Sequence, residues 1–385
     1  MYSQTGYRII TQRDCNPRSP LYSSTRTISE YNSSLCGLYS FGFVNASYSD
    51  GSEQNYRISF GGRNVSIKSI MGSPILVSDI DGMVNTIYDA PSNITYANFM
   101  SVATIGQYCF RGCSLLSSVI IPNAVSIETS AFDSCTALRT IDLPNVETIS
   151  NYAFYGCTTL TSITLPKATM VESYAFYNCS ALSAIDLPQA EDIRSSAFRH
   201  CTALTSISLP KAKRIYCNAF SDTALEALSL PKVTLLSDYA LANMSKLKSV
   251  YLDIGEISYT TVFWDCSSLT DVTIENMSIL KGGLLTNCKL LTNISLPSVT
   301  IVSANAFYNA KFSYVELPMA SNIGTLAFYK CENLETISLP KAVVIASSAF
   351  SGCTNLKSIY VTSTRTTKYG DLNPEYESLY VIISK

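Results

Sequence analysis

The chain has 385 residues, a net charge of −2, 15% charged residues and 47% apolar residues. This balance argues against nucleic-acid binding, because nucleic-acid-binding proteins carry a basic excess or a basic stripe. No apolar stretch approaches the roughly 20 residues of a membrane helix, so we expect no membrane insertion. The first residues lack a basic start followed by an apolar stretch, so no secretory signal peptide is expected, and an intracellular location stays open.

Residues 1–93 contain no repeat and are predicted to form a small β-rich module. Residues 55–70 alternate polar and apolar residues on both sides of Gly61-Gly62, a pattern typical of a β-hairpin, since glycine adopts positive φ in the turn. Residues 72–83 contain a further candidate strand. We expect this module to cap the domain that follows and to serve in attachment or assembly, as in a homo-oligomer or a virion.

Residues 94–362 repeat with a period of 22 residues, interrupted by two steps of 21. Each period has an anchor, usually the Phe of an Ala-Phe pair, then a Cys three residues later, and then Leu-x-x-Ile-x-Leu-Pro. The twelve anchors are Phe110, Phe132, Phe154, Phe176, Phe198, Phe220, Leu241, Phe263, Leu285, Phe307, Phe328 and Phe350. A register kept over twelve periods indicates a protein built from stacked repeats.

Each repeat is predicted to contain one strand and one short helical turn. In residues 160–166, Ile163 and Leu165 alternate with polar residues, which is the pattern of a half-buried strand, and the proline ends that strand. In residues 175–182, Ala, Phe, Cys and Leu have the spacing of one helix face. Neither element can bury its apolar face alone, so the predicted fold class is an α/β repeat solenoid with a parallel β-sheet on one face.

The repeat resembles the BspA-like (Treponema-type) leucine-rich repeat, whose unit is roughly A-F-x-x-C-x-x-L-x-x-I-x-L-P. Residues 131–144, 153–166 and 327–340 match this unit nearly position by position. The resemblance covers about two thirds of the chain and implies a right-handed solenoid of about twelve 22-residue units. It also implies a group of proteins associated with surface adhesion and partner binding. The structural positions of the unit include Phe132, Phe154, Phe176, Phe198, Cys135, Cys157, Cys179 and Cys201.

The repeat weakens in residues 241–296. Leu241 and Leu285 replace the anchor Phe there, and the only tryptophan, Trp264, lies in this stretch. A bend, a special contact and decay of the repeat under weak constraint all remain open as explanations. Residues 363–385 lose the motif and are expected to form a C-terminal cap with one or two strands.

The thirteen cysteines first indicate disulfides or metal sites. Nine of them, however, share one repeat position, where Thr223, Met244 and Ala310 stand in other units. We therefore interpret these nine as buried reduced thiols that pack as small apolar residues. No paired C-x-x-C motifs are present, and no metal or other cofactor is expected. Outside the repeat position, Cys15 and Cys36 leave both a disulfide and free thiols open.

Enzymatic activity is not expected, and we predict no catalytic residues. The single histidine, His200, leaves little room for Ser-His-Asp or Cys-His chemistry. Asp142 and Asp186 lie two repeats apart on an open sheet, without a desolvated pocket that would shift their pKa values. Positions equivalent to His200 carry mostly Gly, Asn or Asp, so His200 is predicted to be an exposed residue that ends the helical turn in the left-handed region, next to a buried Cys201.

Two rows of exposed residues are candidates for a recognition surface. One row lies on the sheet, between the Ile and the final Leu of the repeat. The other consists of tyrosines beside the Ala-Phe pair, and tyrosine offers rigid contact area with a polar tip. Solvated edge residues are the alternative interpretation. The candidates are Asp142, Thr164, Asp186, Ser208 and Tyr251 on the sheet, and Tyr152, Tyr155, Tyr174, Tyr177, Tyr308 and Tyr329 beside the anchors.

The leading functional hypothesis is a non-enzymatic binding or adhesion protein that presents an extended repeat surface to a protein or a surface glycan. We expect it outside the cell, at a cell surface or on a virion. The alternative is a structural component of a phage virion, such as a tail or head-decoration protein attached through residues 1–93. A virion-borne adhesin would combine the two, and an intracellular interaction scaffold is a third hypothesis.

Overall fold

The structure is a computed structural model of the chain. Its internal contacts divide it into two compact units. Unit 1 comprises residues 1–189 and 200–204, and unit 2 comprises residues 190–199 and 205–385. The residues that the structure describes are 42–46, 52–60, 63–71, 75–79, 86–88, 95–99, 102–285, 288–362, 365–366, 370–371 and 374–383. Cys15 and Cys36 lie outside this set.

Each turn of the repeat, here called a rung, has three parts. The first is a strand of three to five residues, and these strands form ladder A. The second is a strand that usually has two residues, and these strands form ladder B. The third is a set of hydrogen-bonded turns around the anchor residue, which we call the turn stack. Wherever neighbouring strands of ladder A or ladder B are paired, they run parallel, as predicted for a solenoid.

The strands of the two ladders are spread over both units. In unit 1, ladder A consists of Tyr96–Asn98, Ser118–Ile120, Thr140–Asp142, Ser162–Thr164 and Ala184–Asp186. Ladder B of unit 1 consists of Thr86–Tyr88, Thr104–Ile105, Ser126–Ile127, Thr148–Ile149 and Met170–Val171. In unit 2, ladder A consists of Ser206–Ser208, Ala227–Leu230, Ser249–Asp253, Asp271–Glu275, Asn293–Ser295, Tyr314–Glu316, Thr336–Ser338, Ser358–Val361 and Tyr380–Ile382. Ladder B of unit 2 consists of Asp192–Ile193, Arg214–Ile215, Leu235–Leu236, Ile279–Leu280, Ile301–Val302, Asn322–Ile323 and Val344–Ile345.

The constant period places equivalent residues of neighbouring rungs side by side. Ile141 pairs with Ile163 in ladder A, and Ile149 pairs with Val171 in ladder B. All four side chains are buried, so each inward position forms an apolar row that crosses several rungs. Burial is therefore a property of the stack, because each rung covers the apolar edge of its neighbour.

The anchor phenylalanines form the centre of the core. In unit 1 the ring of Phe154 stacks on Phe132 at 5.1 Å between centroids and on Phe176 at 5.3 Å. In unit 2 the ring of Phe198 stacks on Phe220 at 5.8 Å. All five rings are fully buried. Such stacked rings remove large apolar areas from water, and parallel aromatic pairs add a further contribution of about 0.5–1.5 kcal/mol.

The turn stack is not helical, and the predicted helical turn is wrong. Around Phe132, the N–H groups of Ser130, Phe132 and Ser134 donate to carbonyl oxygens of the next rung at 2.7–2.9 Å, and the N–H groups between them donate to the carbonyl three residues earlier. Ser130 (φ 54°) and Ser134 (φ 63°) lie in the left-handed region, which prevents the i→i−4 bonds of an α-helix. Among the described residues the one helix is the 3-10 helix Pro374–Leu379.

Ladder A is interrupted at both 21-residue steps, which lie in unit 2. At the second step, Asn293–Ser295 lies beside Tyr314–Glu316, but the two described strands are not hydrogen-bonded to each other. The inward residue of the strand before each of the two breaks, Ile207 or Ile294, is half-buried, whereas the equivalent residues of the other interior strands are buried. A further break, between Ser162–Thr164 and Ala184–Asp186 in unit 1, lies at a 22-residue step, and there the inward residue Ile163 stays buried. A connection that is one residue shorter is therefore accompanied by both an unpaired sheet and a half-buried inward residue.

Ladder B is interrupted within the stretch where the repeat weakens. After Leu235–Leu236 the next described strand of ladder B is Ile279–Leu280, so one rung has no ladder B strand. Trp264 lies in this rung and is 46% exposed. The neighbouring ladder A strands Ser249–Asp253 and Asp271–Glu275 are the longest in that ladder and pair over five residues. Backbone pairing lost from ladder B is thus accompanied by longer pairing in ladder A.

The strands that precede the repeats are antiparallel. The predicted hairpin is confirmed: Ser52–Phe60 pairs with Arg63–Met71. Ser52–Phe60 also pairs with Thr86–Tyr88, the first strand of ladder B, so the hairpin covers the open edge of ladder B in unit 1. The candidate strand in residues 72–83 is present as Ile75–Asp79, and it pairs with Gly42–Ala46.

The C-terminal residues close the last rung of unit 2. Tyr376 is buried in the 3-10 helix, with its ring perpendicular to that of Phe350 at 5.2 Å. Its hydroxyl oxygen accepts a hydrogen bond from the N–H of Phe350 at 3.3 Å. The segments after Ser358–Val361 are Arg365–Thr366, Gly370–Asp371, Pro374–Leu379 and Tyr380–Ile382.

In the part of the chain that the structure describes, no helix has the length and apolar character needed to cross a membrane.

Candidate recognition surfaces

The repeat cysteines form a row of thiols that donate hydrogen bonds to the backbone. The Sγ atom of Cys135 lies 3.0 Å from the carbonyl oxygen of Phe110, one rung earlier, and that of Cys157 lies 3.1 Å from the carbonyl oxygen of Phe132. The sequence indicated packing but not this donor role, although Thr223, another hydrogen-bond donor, replaces the cysteine in one rung. The same contact is made by Cys179, Cys201, Cys266, Cys331 and Cys353.

Most of these thiols are held in the protonated form. Burial raises the pKa of Cys201 and Cys266 to about 12, and it raises the pKa of Cys179 well above its usual value. A thiolate, and not a thiol, is the nucleophile or metal ligand, so these side chains are structural. Cys353 is half-buried and differs, because the interaction with the neighbouring Cys331 side chain lowers its pKa. Within the described residues, no group of three or more His, Cys, Asp or Glu side chains is placed to hold a metal.

Tyr152, Tyr155, Tyr174 and Tyr177, here called the tyrosine cluster, lie together at the surface of the turn stack in unit 1. The rings of Tyr152 and Tyr174 stack at 4.9 Å, and those of Tyr155 and Tyr177 stack at 5.0 Å, with interplanar angles of 2° and 4°. Tyr152 is 39% exposed, and the other three rings are half-buried. The four predicted tyrosines of unit 1 thus lie together, because equivalent residues of neighbouring rungs are side by side.

The backbone does not favour tyrosine at two of these positions. Tyr152 (φ 58°) and Tyr174 (φ 59°) lie in the left-handed region, where Asn, Asp and Gly are the favoured residues. Equivalent positions carry Ser196, Asn218 and Asn305 with φ values of 55–58°. Residues that contradict a local preference are expected at functional sites. The rings are therefore candidates for a function other than forming the turn.

In unit 2, Tyr308 and Tyr329 form a second, smaller aromatic pair. Their ring centroids are 5.7 Å apart and tilted by 44°, and Lys330 Nζ lies 5.4 Å from the centroid of Tyr329. Tyr308 is 40% exposed. The two predicted candidates therefore do meet, but with less parallel rings than in the tyrosine cluster.

The predicted sheet residues lie on the outward face of ladder A. In unit 1, Asp142 and Thr164 are exposed and in register on paired strands. Asp186 is exposed on the next strand, which is not hydrogen-bonded to the strand of Thr164. In unit 2, Ser208 is exposed, and Tyr251 is 38% exposed.

A groove opens on the outward face of ladder A in unit 2, at the break between Asn293–Ser295 and Tyr314–Glu316. Its volume is about 320 Å³, and we call it the ladder A groove. Tyr314 is 51% exposed, and its hydroxyl donates to Oε2 of Glu316 at 3.2 Å. Burial, together with the neighbouring Glu316 carboxylate, raises the pKa of Tyr314. None of these residues was predicted as a site, and the available signal was the 21-residue step from Phe307 to Phe328.

His200 is a turn residue. Its φ of 63° confirms the predicted left-handed conformation. It is half-buried rather than exposed, because its ring contacts that of Tyr177 edge-on at 5.1 Å, and it ends no helix. The adjacent Cys201 is buried, and its thiol donates to the carbonyl oxygen of Phe176 at 3.0 Å.

Comparison with known proteins identifies the repeat. The model of the BspA type leucine rich repeat region (6 copies) matches residues 85–190, 169–289 and 255–371. A leucine-rich repeat protein from Bacteroides ovatus is 22% identical over 90% of this chain and 98% of its own, with a TM-score of 0.57. A leucine rich cell surface protein from Faecalibacterium prausnitzii is 20% identical over 91% of this chain and 97% of its own, with a TM-score of 0.35. A search of curated proteins gave no match.

At these identities the structural similarity concerns the fold, and it rests on the Bacteroides ovatus protein. The family match covers most of the chain and all the rungs described above. Parallel ladders with a 22-residue offset, seen in each unit, are the solenoid that this match implies. The chain belongs to the BspA-type leucine-rich repeat family.

Proposed function

We propose that this protein is a non-enzymatic recognition protein that binds a protein or a surface glycan through the tyrosine cluster and the outward face of ladder A. The tyrosine cluster carries the proposal, because four rings are fixed in stacked positions, and two of them stand where the backbone favours smaller residues. BspA-type repeats are typical of binding and adhesion proteins at cell surfaces, and the leucine-rich repeat fold is generally a non-enzymatic scaffold. We infer a cell-surface or otherwise extracellular location on the same basis.

The stacking determines which parts of the rings a partner meets. Tyr152 and Tyr174 each cover one face of the other, as do Tyr155 and Tyr177, so ring edges, hydroxyl groups and the outer ring faces are what remain for contact. Tyrosine has few rotatable bonds, and stacked rings have lost much of that freedom before a partner arrives. A rigid surface of this kind loses less conformational entropy on binding than a flexible one.

The chemistry of the remaining reactive residues supports a role without catalysis. The ring of His200 contacts Tyr177, and the neighbouring Cys201 thiol has a pKa of about 12 because it is buried. A thiol with such a pKa is protonated at neutral pH and is a poor nucleophile. Recognition therefore accounts for the exposed residues better than a reaction does.

The test is the double substitution Tyr152→Asn/Tyr174→Asn in the full chain. Labelled protein is applied to an array of extracellular-matrix proteins and surface glycans. We expect at least one target to bind the wild-type chain, and the double variant to bind it about tenfold or more weakly, as for loss of an aromatic contact. The fold should be retained, because Asn218 and Asn305 have the same backbone conformation in other rungs.

Ser130→Asn is the matched control, since Ser130 (φ 54°) has the same place in its rung but no ring. Its binding should equal that of the wild-type chain. Equal binding of every target by the wild-type chain and the double variant would contradict the proposal for the tyrosine cluster. The virion alternative has a different outcome: the full chain would sediment with phage particles through residues 1–93, and the double variant would do so equally.

A further inference from the structure

The ladder A groove in unit 2 has the size and the side chains of a small-ligand site. Its volume of about 320 Å³ falls at the lower end of the range of roughly 300–1,000 Å³ that is usual for such sites. It lies where the repeat is one residue shorter between Phe307 and Phe328 and the two neighbouring strands are not paired. The groove is present before any ligand binds.

The aromatic part of the groove is a fixed, exposed ring. Half of the surface of Tyr314 is accessible (51%). Its hydroxyl is held by Glu316 at 3.2 Å. Within the described residues no parallel ring stacks on Tyr314, so neither ring face is covered by stacking. Such a face suits the C–H groups on the flat side of a sugar ring.

The polar part of the groove suits hydroxyl groups. The Nδ2 atom of Asn293 donates to Oδ1 of Asp271 at 2.6 Å, which fixes the orientation of the amide. A carboxylate such as Glu316 has two acceptor oxygens, and an amide has both donors and an acceptor, so each can contact two neighbouring hydroxyls. Ser295 is exposed between them and adds a hydroxyl of its own.

The charge of the groove restricts the ligand. Glu316 is part of the lining and Asp271 lies beside it, whereas no Lys, Arg or His is among the described lining residues. A carboxylated or sulfated sugar would meet like charge without a compensating cation, which disfavours it. A neutral ligand with many hydroxyls fits the groove better than an anionic one.

We propose that the ladder A groove binds a neutral oligosaccharide, with one sugar ring on Tyr314 and its hydroxyls bonded to Asn293, Ser295 and Glu316. This proposal rests on the recognition function proposed above, and it names a ligand class and a second site for that function. The remaining sugar units lie along the outward face of ladder A.

The experiment titrates the full chain with cellotetraose, maltotetraose, mannotetraose and N-acetyllactosamine by calorimetry, with 3′-sialyllactose and a heparin tetrasaccharide as anionic probes. At least one neutral probe should bind, and more tightly than either anionic probe. Tyr314→Ala should weaken binding about tenfold, whereas Tyr314→Phe keeps the ring and should retain most of the affinity. Tyr259→Ala removes a 44% exposed tyrosine of unit 2 that lies neither in the groove nor on a strand of ladder A, and it should have no effect.

Failure of the groove proposal is distinguishable from failure of the recognition function. No binding of any neutral probe, tighter binding of an anionic probe, or full affinity in Tyr314→Ala would overturn the groove proposal. If Tyr152→Asn/Tyr174→Asn still abolishes binding to an array target in that case, the recognition function stands without the groove. If the wild-type chain binds none of the array targets and none of the sugars, both proposals are wrong. Because the Tyr314 side chain is half-exposed, Tyr314→Ala should unfold at the same denaturant concentration as wild type.

Discussion

The rungs around Phe132–Phe176 in unit 1 and those around Leu241–Phe328 in unit 2 follow the same plan with different regularity. The first group keeps the 22-residue step, stacked anchor rings at 5.1 and 5.3 Å, and a continuous ladder B. The second group replaces anchors, lacks one ladder B strand and opens ladder A at a 21-residue step. Regular spacing is thus accompanied by stacked anchor rings and a continuous ladder B, whereas the groove lies at a step that is one residue shorter.

The two groups also differ in what they display. The regular rungs display rows of identical residues, and the tyrosine cluster is such a row. The irregular rungs display an isolated groove and the exposed side chain of Trp264. A row can contact an extended partner at several equivalent points, whereas a groove selects one ligand unit by shape. The four predictions that follow test whether the difference in spacing causes the difference in surface.

The largest effect is expected from Phe154→Ala in the regular group. The ring is fully buried and stacked on both neighbours, so its loss should lower the free energy of unfolding by about 3–5 kcal/mol. Leu285→Ala in the irregular group removes a smaller side chain that is 6% exposed, and it should cost less, about 2–3 kcal/mol. Chemical denaturation of both variants checks the order. A larger cost at Leu285 would show that the regular stack is not the more tightly packed region.

The next effect is expected from deletion of Thr159, which gives a regular rung the short connection found after Phe307. Ladder A should then open before Ser162–Thr164, at a cost of about 1–3 kcal/mol. Faster amide hydrogen exchange at Ile163 would report the opening. The reverse change inserts one Ser between Ala310 and Lys311. It should slow hydrogen exchange of the Val315 amide and remove the groove. Unchanged exchange in both variants would disprove the link between residue count and sheet opening.

A smaller effect is expected at Cys179. Two explanations of the cysteine predict opposite orders of stability for the variants Cys179→Ser and Cys179→Ala. If the thiol matters as a donor to the Phe154 carbonyl, Cys179→Ser should be more stable than Cys179→Ala by about 0.5–1.5 kcal/mol. If the thiol only fills space, the buried hydroxyl should make Cys179→Ser the less stable variant. We expect the first order. Thermal or chemical unfolding of the two variants side by side decides between the explanations.

The smallest effect is expected from His200→Asn. Asn178 and Asn243 hold the equivalent position with φ values of 58° and 57°, so the backbone should accept the change. The loss of the edge-on contact with Tyr177 should cost no more than about 0.5 kcal/mol, and target binding should be retained. A loss of binding with an intact fold would show that His200 belongs to the recognition surface.

The sequence predicted the parts of the fold that depend on the two-residue alternation of a strand and on the 22-residue repeat. The alternation around Ile163 and the constant step between anchors were sufficient for the parallel solenoid and its buried rows. The helical turn was wrong because the Ala, Phe, Cys and Leu spacing fits a helix face and a stack of turns equally well, and left-handed residues such as Ser134 decide between them. Ladder B was missed because its strands have only two residues, as at Thr148–Ile149.

The candidate surface was predicted in part. The sequence singled out the tyrosines beside the anchors, but their stacking depends on side-chain rotamers and on the distance between rungs. The groove could not be predicted from residue types, because Asn293 and Tyr314 begin neighbouring ladder A strands, and the space between them depends on how far these strands separate. The domain boundaries near residues 93 and 362 remain predictions.

The row of buried thiols allows local unfolding of the protein to be measured by chemical labelling. Nine of the described cysteines are buried, whereas Cys353 is half-buried with a lowered pKa and Cys217 is half-buried with a raised pKa. Among the described cysteines, an alkylating reagent should therefore modify Cys353 first and reach Cys157 or Cys179 only when a rung opens, because the reactive thiolate is absent while the rung is closed. The order in which peptides acquire the label would give the order in which rungs come apart, without any added probe.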